Sequence, residues 1–75
     1  MQTTIYDTKT LGKTICKARK HQGLTQSDLA GLTEVGSRFI SDVENGKETA
    51  QIGKVLHIMS ALGIKLEASA EWMTD

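Results

Sequence analysis

The sequence predicts an all-α domain of four to five short helices, closed by one short β-strand. Three observations predict it. Apolar residues recur at the spacing of one helix face in four successive segments. Gly23, Gly46 and Gly63 each follow such a segment, where a left-handed residue closes a helix. The last segment then changes period. Ile64, Leu66, Ala68 and Ala70 alternate with Lys65, Glu67, Ser69 and Glu71, the pattern of a strand with one buried face. The chain has no proline, no low-complexity stretch and no internal repeat, and its 75 residues make one domain, 1–75.

The first helix is predicted from about Thr10 to His21, with Leu11, Ile15 and Ala18 on its apolar face and Lys13, Lys17 and Lys20 on the opposite one. The second runs from about Gln26 to Leu32. Thr25 is its N-cap, Asp28 completes a capping box, and Leu29 and Ala30 face inward. The third runs from Ser37 to Glu44 and ends at Asn45-Gly46. Ile40 and Val43 share one face, and Ser37, Arg38 and Ser41 share another. The fourth is expected from Ala50 to Leu62, capped by Thr49. Its stripe is Ile52, Val55, Leu56, Met59 and Leu62, with Ile58 at the edge.

The strand covers about residues 64–70. One strand is not stable alone. It pairs with the stretch Thr3-Thr4-Ile5-Tyr6, with the same strand of a second chain, or with both. Symmetry makes a second chain the natural partner. Ile64, Leu66 and Ala68 would then lie over Ile58 and Leu62 of both chains, and these five residues are the expected dimer interface.

Composition narrows the classes. A domain this small buries only about 60% of the surface of its unfolded chain. Small domains therefore commonly add a disulfide, a metal or a partner subunit. One cysteine, Cys16, allows no internal disulfide, and Cys16 with His21 and His57 makes no tetrahedral zinc set. A partner subunit is the remaining device. The lone thiol fits a reducing cytoplasm. No apolar run approaches the roughly 18 residues of a membrane span, and no basic segment leads into an apolar stretch at the N-terminus. The expected location is the cytoplasm, at the nucleoid.

Net charge is zero, yet the charges are segregated. Between Thr8 and Ser27 stand Lys9, Lys13, Lys17, Arg19 and Lys20 with no acid, while Glu67, Glu71 and Asp75 follow Leu66 with no base. Such a chain could present one end to a polyanion and the other to a protein. A solvated helix face with an acidic tail accounts for the same pattern, and charge alone is compatible with both.

Two short helices joined by a tight turn and flanked by packing helices are the layout of a helix-turn-helix, here at residues 25–44. The second helix of such a pair needs small or polar residues on the face that enters the major groove. Ser37, Arg38 and Ser41 meet that demand. Arginine reads guanine O6 and N7 with two hydrogen bonds, and serine reads bases ambiguously or holds a phosphate.

The pattern T-Q-x-x-L-A at Thr25–Ala30, followed by I-S-x-x-E-x-G-K at Ile40–Lys47, resembles the Xre/Cro family of bacterial and phage regulators over about residues 11–62. The resemblance implies a lambda-repressor-like domain. It places Gly36, Ser37, Arg38 and Ser41 at base edges. It puts Thr25, Gln26 and Lys47 at phosphates, with Gln26 also buttressing the recognition helix. It makes Arg19 and Glu44 a structural ion pair. One departure stands in the turn, where the family usually has glycine and this chain has Glu34.

The run Thr49–Leu56 with Ala61–Leu66 is similar to the HipB branch, whose members are antitoxins paired with HipA-type kinases. That similarity implies a homodimeric repressor of its own operon, bound to an inverted-repeat operator in double-stranded DNA and restraining a HipA-like kinase. A stand-alone repressor and a protein-binding adaptor that has lost DNA binding are the alternatives.

Other readings fall away. Gly12-Lys13-Thr14 lacks the glycine five residues earlier that a P-loop needs, since that position is Asp7. Cys16 has no activating base beside it in sequence, so a core or half-buried structural thiol is expected. His57 reads as a helix-surface imidazole, and Phe39 as packed against the fourth helix. Trp72 either anchors a partner or covers its own subunit. No cofactor fingerprint, metal set or catalytic constellation is present, so the sequence points away from an enzyme.

Overall fold

Asp7 opens the first helix. Its side chain accepts a hydrogen bond from the Thr10 N–H (2.8 Å), which satisfies one of the donors a helix start leaves free. The computed structural model describes residues 3–73, and in them four helices follow in order: α1 Thr8–His21, α2 Gln26–Thr33, α3 Ser37–Glu44 and α4 Ile52–Ala61. α1 begins ahead of the expected Thr10 because the cap lies before the apolar periodicity starts. Thr8 docks this end by donating its hydroxyl to the Gly46 carbonyl (2.8 Å), just past α3. Arg19, Lys20 and His21 fill the last turn of α1, where positive charge suits the helix dipole.

The helix-turn-helix forms as its sequence dictates. The Thr25 hydroxyl accepts from the Asp28 N–H and the Asp28 carboxylate accepts from the Thr25 N–H, both at 2.9 Å, a complete capping box. α2 ends on Glu34, which adopts the left-handed conformation at φ 58, ψ 31. The turn therefore keeps the backbone that glycine would take more cheaply. α3 has the expected bounds, with Gly36 as its N-cap and no side-chain cap bond.

Ile15, Leu29, Ile40, Val43, Val55, Ile58, Met59 and Leu62 form the buried core, and Leu11, Ala18, Leu24, Ala30, Phe39, Ala50 and Ile64 pack against it. Ile15, Leu29, Ile40 and Ile58 are fully buried, and each contributes about 1.5–3 kcal/mol of burial. Gly12 lets α1 approach α3, because a Cβ there would meet the Val43 and Glu44 carbonyl oxygens. This is the packing reason for a glycine in the middle of a helix.

Two expectations need correction. α4 begins at Ile52 with Gln51 in the cap position, so Thr49 caps nothing. Its buried stripe is Val55, Ile58, Met59 and Leu62. Ile58, expected at the edge, lies at the centre, whereas Ile52 and Leu56 are exposed. The physical reason is that α4 packs on α2, and His57 Nε2 meets the Thr33 carbonyl at 3.1 Å across that joint. The second correction concerns residues 64–70, which form no strand, nor does any other described segment. A strand is made by ladder bonds to a neighbour, and Thr3–Tyr6 does not supply one.

Candidate nucleic-acid interface

α3 presents its two faces as the sequence implied. Ile40 and Val43 are buried, while Ser37 and Arg38 are exposed and Ser41 is half-buried. The Arg38 side chain is 91% exposed, so its guanidinium is free to meet a ligand. Ser41 is less free. Asn45 donates through Nδ2 to its carbonyl (2.9 Å) and lies 3.4 Å from its hydroxyl. Gly36 is exposed, and lacking a capping side chain it leaves the first N–H groups of α3 open.

Of the residues expected at phosphates, Lys47 stands beside Arg38. Asp42 bridges them: Oδ1 is 3.5 Å from Arg38 Nε and Oδ2 is 3.6 Å from Lys47 Nζ. Thr25 spends its hydroxyl on the cap, and the Asp28 carboxylate brings a negative charge to the same helix end. What α2 offers there is the Gln26 and Ser27 N–H groups, which accompany the exposed first turn. Gln26 itself is half-buried, its side chain donating to Glu44 Oε1 at 3.0 Å.

That bond belongs to the network that fixes α3 against the rest of the domain. Arg19 donates through Nε to Glu44 Oε2 (2.7 Å), through Nη2 to Glu44 Oε1 (3.0 Å) and through Nη1 to the Leu24 carbonyl (2.8 Å). Both side chains of the pair are under 10% exposed, so the bidentate bonds do their orienting away from water. Burial alone would raise the Glu44 pKa; the hydrogen bonds from Arg19 and Gln26 outweigh it and hold the carboxyl below its usual value. The same contact, against a desolvation cost, holds Arg19 charged. Half-buried Cys16 lies on this network, with Sγ 3.6 Å from Arg19 Nη2.

Sequence reasoning missed three groups. Asp42 was legible as the i+4 neighbour of Arg38. Asn45 was read as a helix end and no more. Lys54 reaches over the Phe39 ring, 5.6 Å from its centre, a contact between two helices that no local spacing reveals. The residues expected at a dimer interface are divided. Ile58 and Leu62 are spent in the core of the single chain, Ile64 is half-buried, and Leu66 and Ala68 are exposed.

Residues 17–68, well over half of the chain, match the family model described as helix-turn-helix. The chain belongs to the helix-turn-helix family. That family is one of DNA-binding regulators and not an enzyme class. A relative from Sinorhizobium fredii, the uncharacterized HTH-type transcriptional regulator y4mF, is 48% identical over 60 residues, which are 80% of this chain and 79% of that protein. Among solved structures, the HipB–O4 20mer complex contains a chain 23% identical with a TM-score of 0.84, covering 93% of this chain and 99% of its own. The HipA–HipB–O2–O3 complex gives the same identity, coverage and TM-score. At this identity the likeness is one of fold. Among the described residues no helix is long and apolar enough to cross a membrane, and no group of His, Cys, Asp and Glu is placed to hold a metal ion.

Proposed function

We propose that this helix-turn-helix protein is a homodimeric, sequence-specific repressor in the cytoplasm, bound to the nucleoid at an inverted-repeat operator. α3 enters the major groove. Gly36, Ser37, Arg38 and Ser41 face base edges, and Thr25, Gln26 and Lys47 meet the backbone, with the main-chain amides at the start of α2 doing much of the work. The observation that carries this reading is the exposed guanidinium of Arg38 on a helix whose opposite face is locked into the core and into the Arg19–Glu44–Gln26 network.

The dimer uses residues 64–70 of two copies, which meet as extended segments. Leu66 and Ala68 supply its apolar face with Ile64, while Ile58 and Leu62 form the buried floor beneath. Support comes from the apolar groove lined by Leu56, Met59, Ile64 and Leu66 and from the exposed Trp72 and Met73 beyond it. A HipA-like kinase is the proposed protein partner, supported by the shared fold of the HipB chain in a HipA–HipB complex. The name of the 48%-identical relative, an HTH-type transcriptional regulator, supports the regulatory role alone, and a stand-alone regulator is the second reading.

A salt-dependent gel shift with the DNA upstream of its own gene tests the first part. A discrete complex that weakens steeply with salt is expected, and no complex at low salt would favour a protein-binding adaptor. Deleting residues 64–75 should give a monomer in sedimentation at micromolar concentration that binds far more weakly. A truncated protein that still sediments as a dimer would move the interface to the helices. Co-expression with the product of the adjacent gene, if that is a kinase, should give a stable complex; its failure leaves the stand-alone regulator.

A further inference from the structure

We infer that Asp42 is a positioning residue for base recognition, holding the Arg38 guanidinium by its Nε edge so that its terminal nitrogens are aimed outward as a fork. The inference rests on the reading of α3 as the recognition helix. Asp42 lies one turn after Arg38, and its two carboxylate oxygens are divided between two cations, Oδ1 at 3.5 Å from Arg38 Nε and Oδ2 at 3.6 Å from Lys47 Nζ. In the end-on mode of bidentate guanine recognition the two Nη groups face O6 and N7 and Nε is left unused; with Nε occupied by Asp42, this is the mode open to Arg38. No described residue accepts a hydrogen bond from those Nη groups, so the side that meets a base is open while the other faces the Asp42 carboxylate in an exposed ion pair. Arg38 is 91% exposed even with this pair, so the pair biases its rotamers and lowers the ordering cost of binding without removing it.

Lys47 gives the arrangement a second consequence. A carboxylate between two cations lowers the positive potential at the surface where phosphates arrive. That weakens attachment to every sequence alike. Asp42 therefore sharpens discrimination from both sides: it orients the reader and it reduces indiscriminate binding. The Asp42 side chain is 30% exposed, and its ion-pair partners Arg38 and Lys47 are exposed, so its variants should keep the helical circular dichroism of wild type.

The test is selection from a randomised 30-base-pair duplex pool by the full chain, with wild type, Arg38→Ala, Asp42→Ala, Asp42→Asn and the double Arg38→Ala/Asp42→Ala variant. Anisotropy titrations on the selected duplex and on mixed-sequence duplex then give the discrimination ratio. Arg38→Ala identifies the base pair that Arg38 reads. At that base pair, Asp42→Ala should lose several-fold of a preference worth roughly 5- to 150-fold, while binding to mixed-sequence duplex tightens about 3- to 10-fold at low salt. Asp42→Asn, which keeps an acceptor oxygen, should tighten mixed-sequence binding equally yet keep more of the base preference. In the Arg38→Ala background, Asp42→Ala should change nothing further at that base pair. Full retention of the preference by Asp42→Ala overturns the inference. So does a loss confined to a neighbouring base pair, which would make Asp42 a direct reader of cytosine N4. A wild type that enriches no sequence overturns both this inference and the DNA-reading role beneath it.

Discussion

Replacing Glu44 with alanine strikes the joint between the recognition helix and the rest of the domain. The carboxylate accepts three bonds, two from Arg19 at 2.7 and 3.0 Å and one from Gln26 at 3.0 Å. Its loss leaves the Arg19 guanidinium under 10% exposed and without its counter-charge. Arg19 keeps its bond to the Leu24 carbonyl and its long contact with Cys16, which offset part of the cost. Breaking a buried pair by removing one partner typically costs about 3–5 kcal/mol, so a loss near the lower end, about 3 kcal/mol, is expected. Small domains have on the order of 0.05–0.15 kcal/mol of stability per residue, so this is a large share of the total. Urea unfolding followed by circular dichroism measures it. The double replacement Arg19→Met/Glu44→Met should recover much of the loss, since apolar side chains of similar volume remove both desolvation costs together. A Glu44→Ala protein within about 0.5 kcal/mol of wild type would show that the pair stabilises the fold no more than an exposed one.

Three other outcomes follow from the same structure. Ile40→Ala should cost about 2–5 kcal/mol by opening a cavity at a fully buried site; an unchanged melting temperature would mean that α3 is rotated. Glu34→Gly should raise the melting temperature by roughly 2–8 °C, from about 0.5–1 kcal/mol of relieved left-handed strain net of glycine's chain entropy; a lower melting temperature would mean that Glu34 contributes something glycine lacks. Acid should destabilise the fold. The carboxyls of Asp7, Asp28 and Glu44 are all held below their usual values in the folded state, the two aspartates chiefly by backbone N–H bonds from Thr10 and Thr25. Their stabilisation is present above the unfolded carboxylate range near pH 4 and is lost as pH falls through the folded values. Stability flat from about pH 5 down to about pH 2 would contradict that.

Much of this was legible in the sequence, for local reasons. The Thr25–Asp28 box and the Asn45-Gly46 stop fix α2 and α3 because caps act within a few residues. Glu34 stood out because a left-handed turn normally takes glycine. The face of α4 was not legible. Ile52, Val55, Leu56, Ile58, Met59 and Leu62 cover more of the helix than one contact can bury, and the position of α2 decides which of them go inside. The start of α1 was missed because Asp7 caps a turn that precedes the first apolar residue of the periodicity. The 64–70 segment shows another limit: alternation reports a strand's two faces, and a strand forms only where a partner meets it. In the interface, single residue types were legible and their pairing only in part. The Arg38–Asp42 pair was readable from its i+4 spacing, whereas the reach of the same carboxylate to Lys47 depends on how the chain turns after α3.

The central claim is that DNA meets the face built by α3 and the start of α2. Amide chemical-shift mapping of the 15N-labelled protein, titrated with a mixed-sequence 20-base-pair duplex at low salt, tests it most directly. No operator need be known, because phosphate contacts bind any duplex. The account predicts that the largest shifts fall on Thr25, Gln26, Gly36–Ser41 and Lys47, with the amides of α4 nearly still. Shifts concentrated on α4 and residues 64–73, with Gly36–Ser41 unmoved, would contradict it.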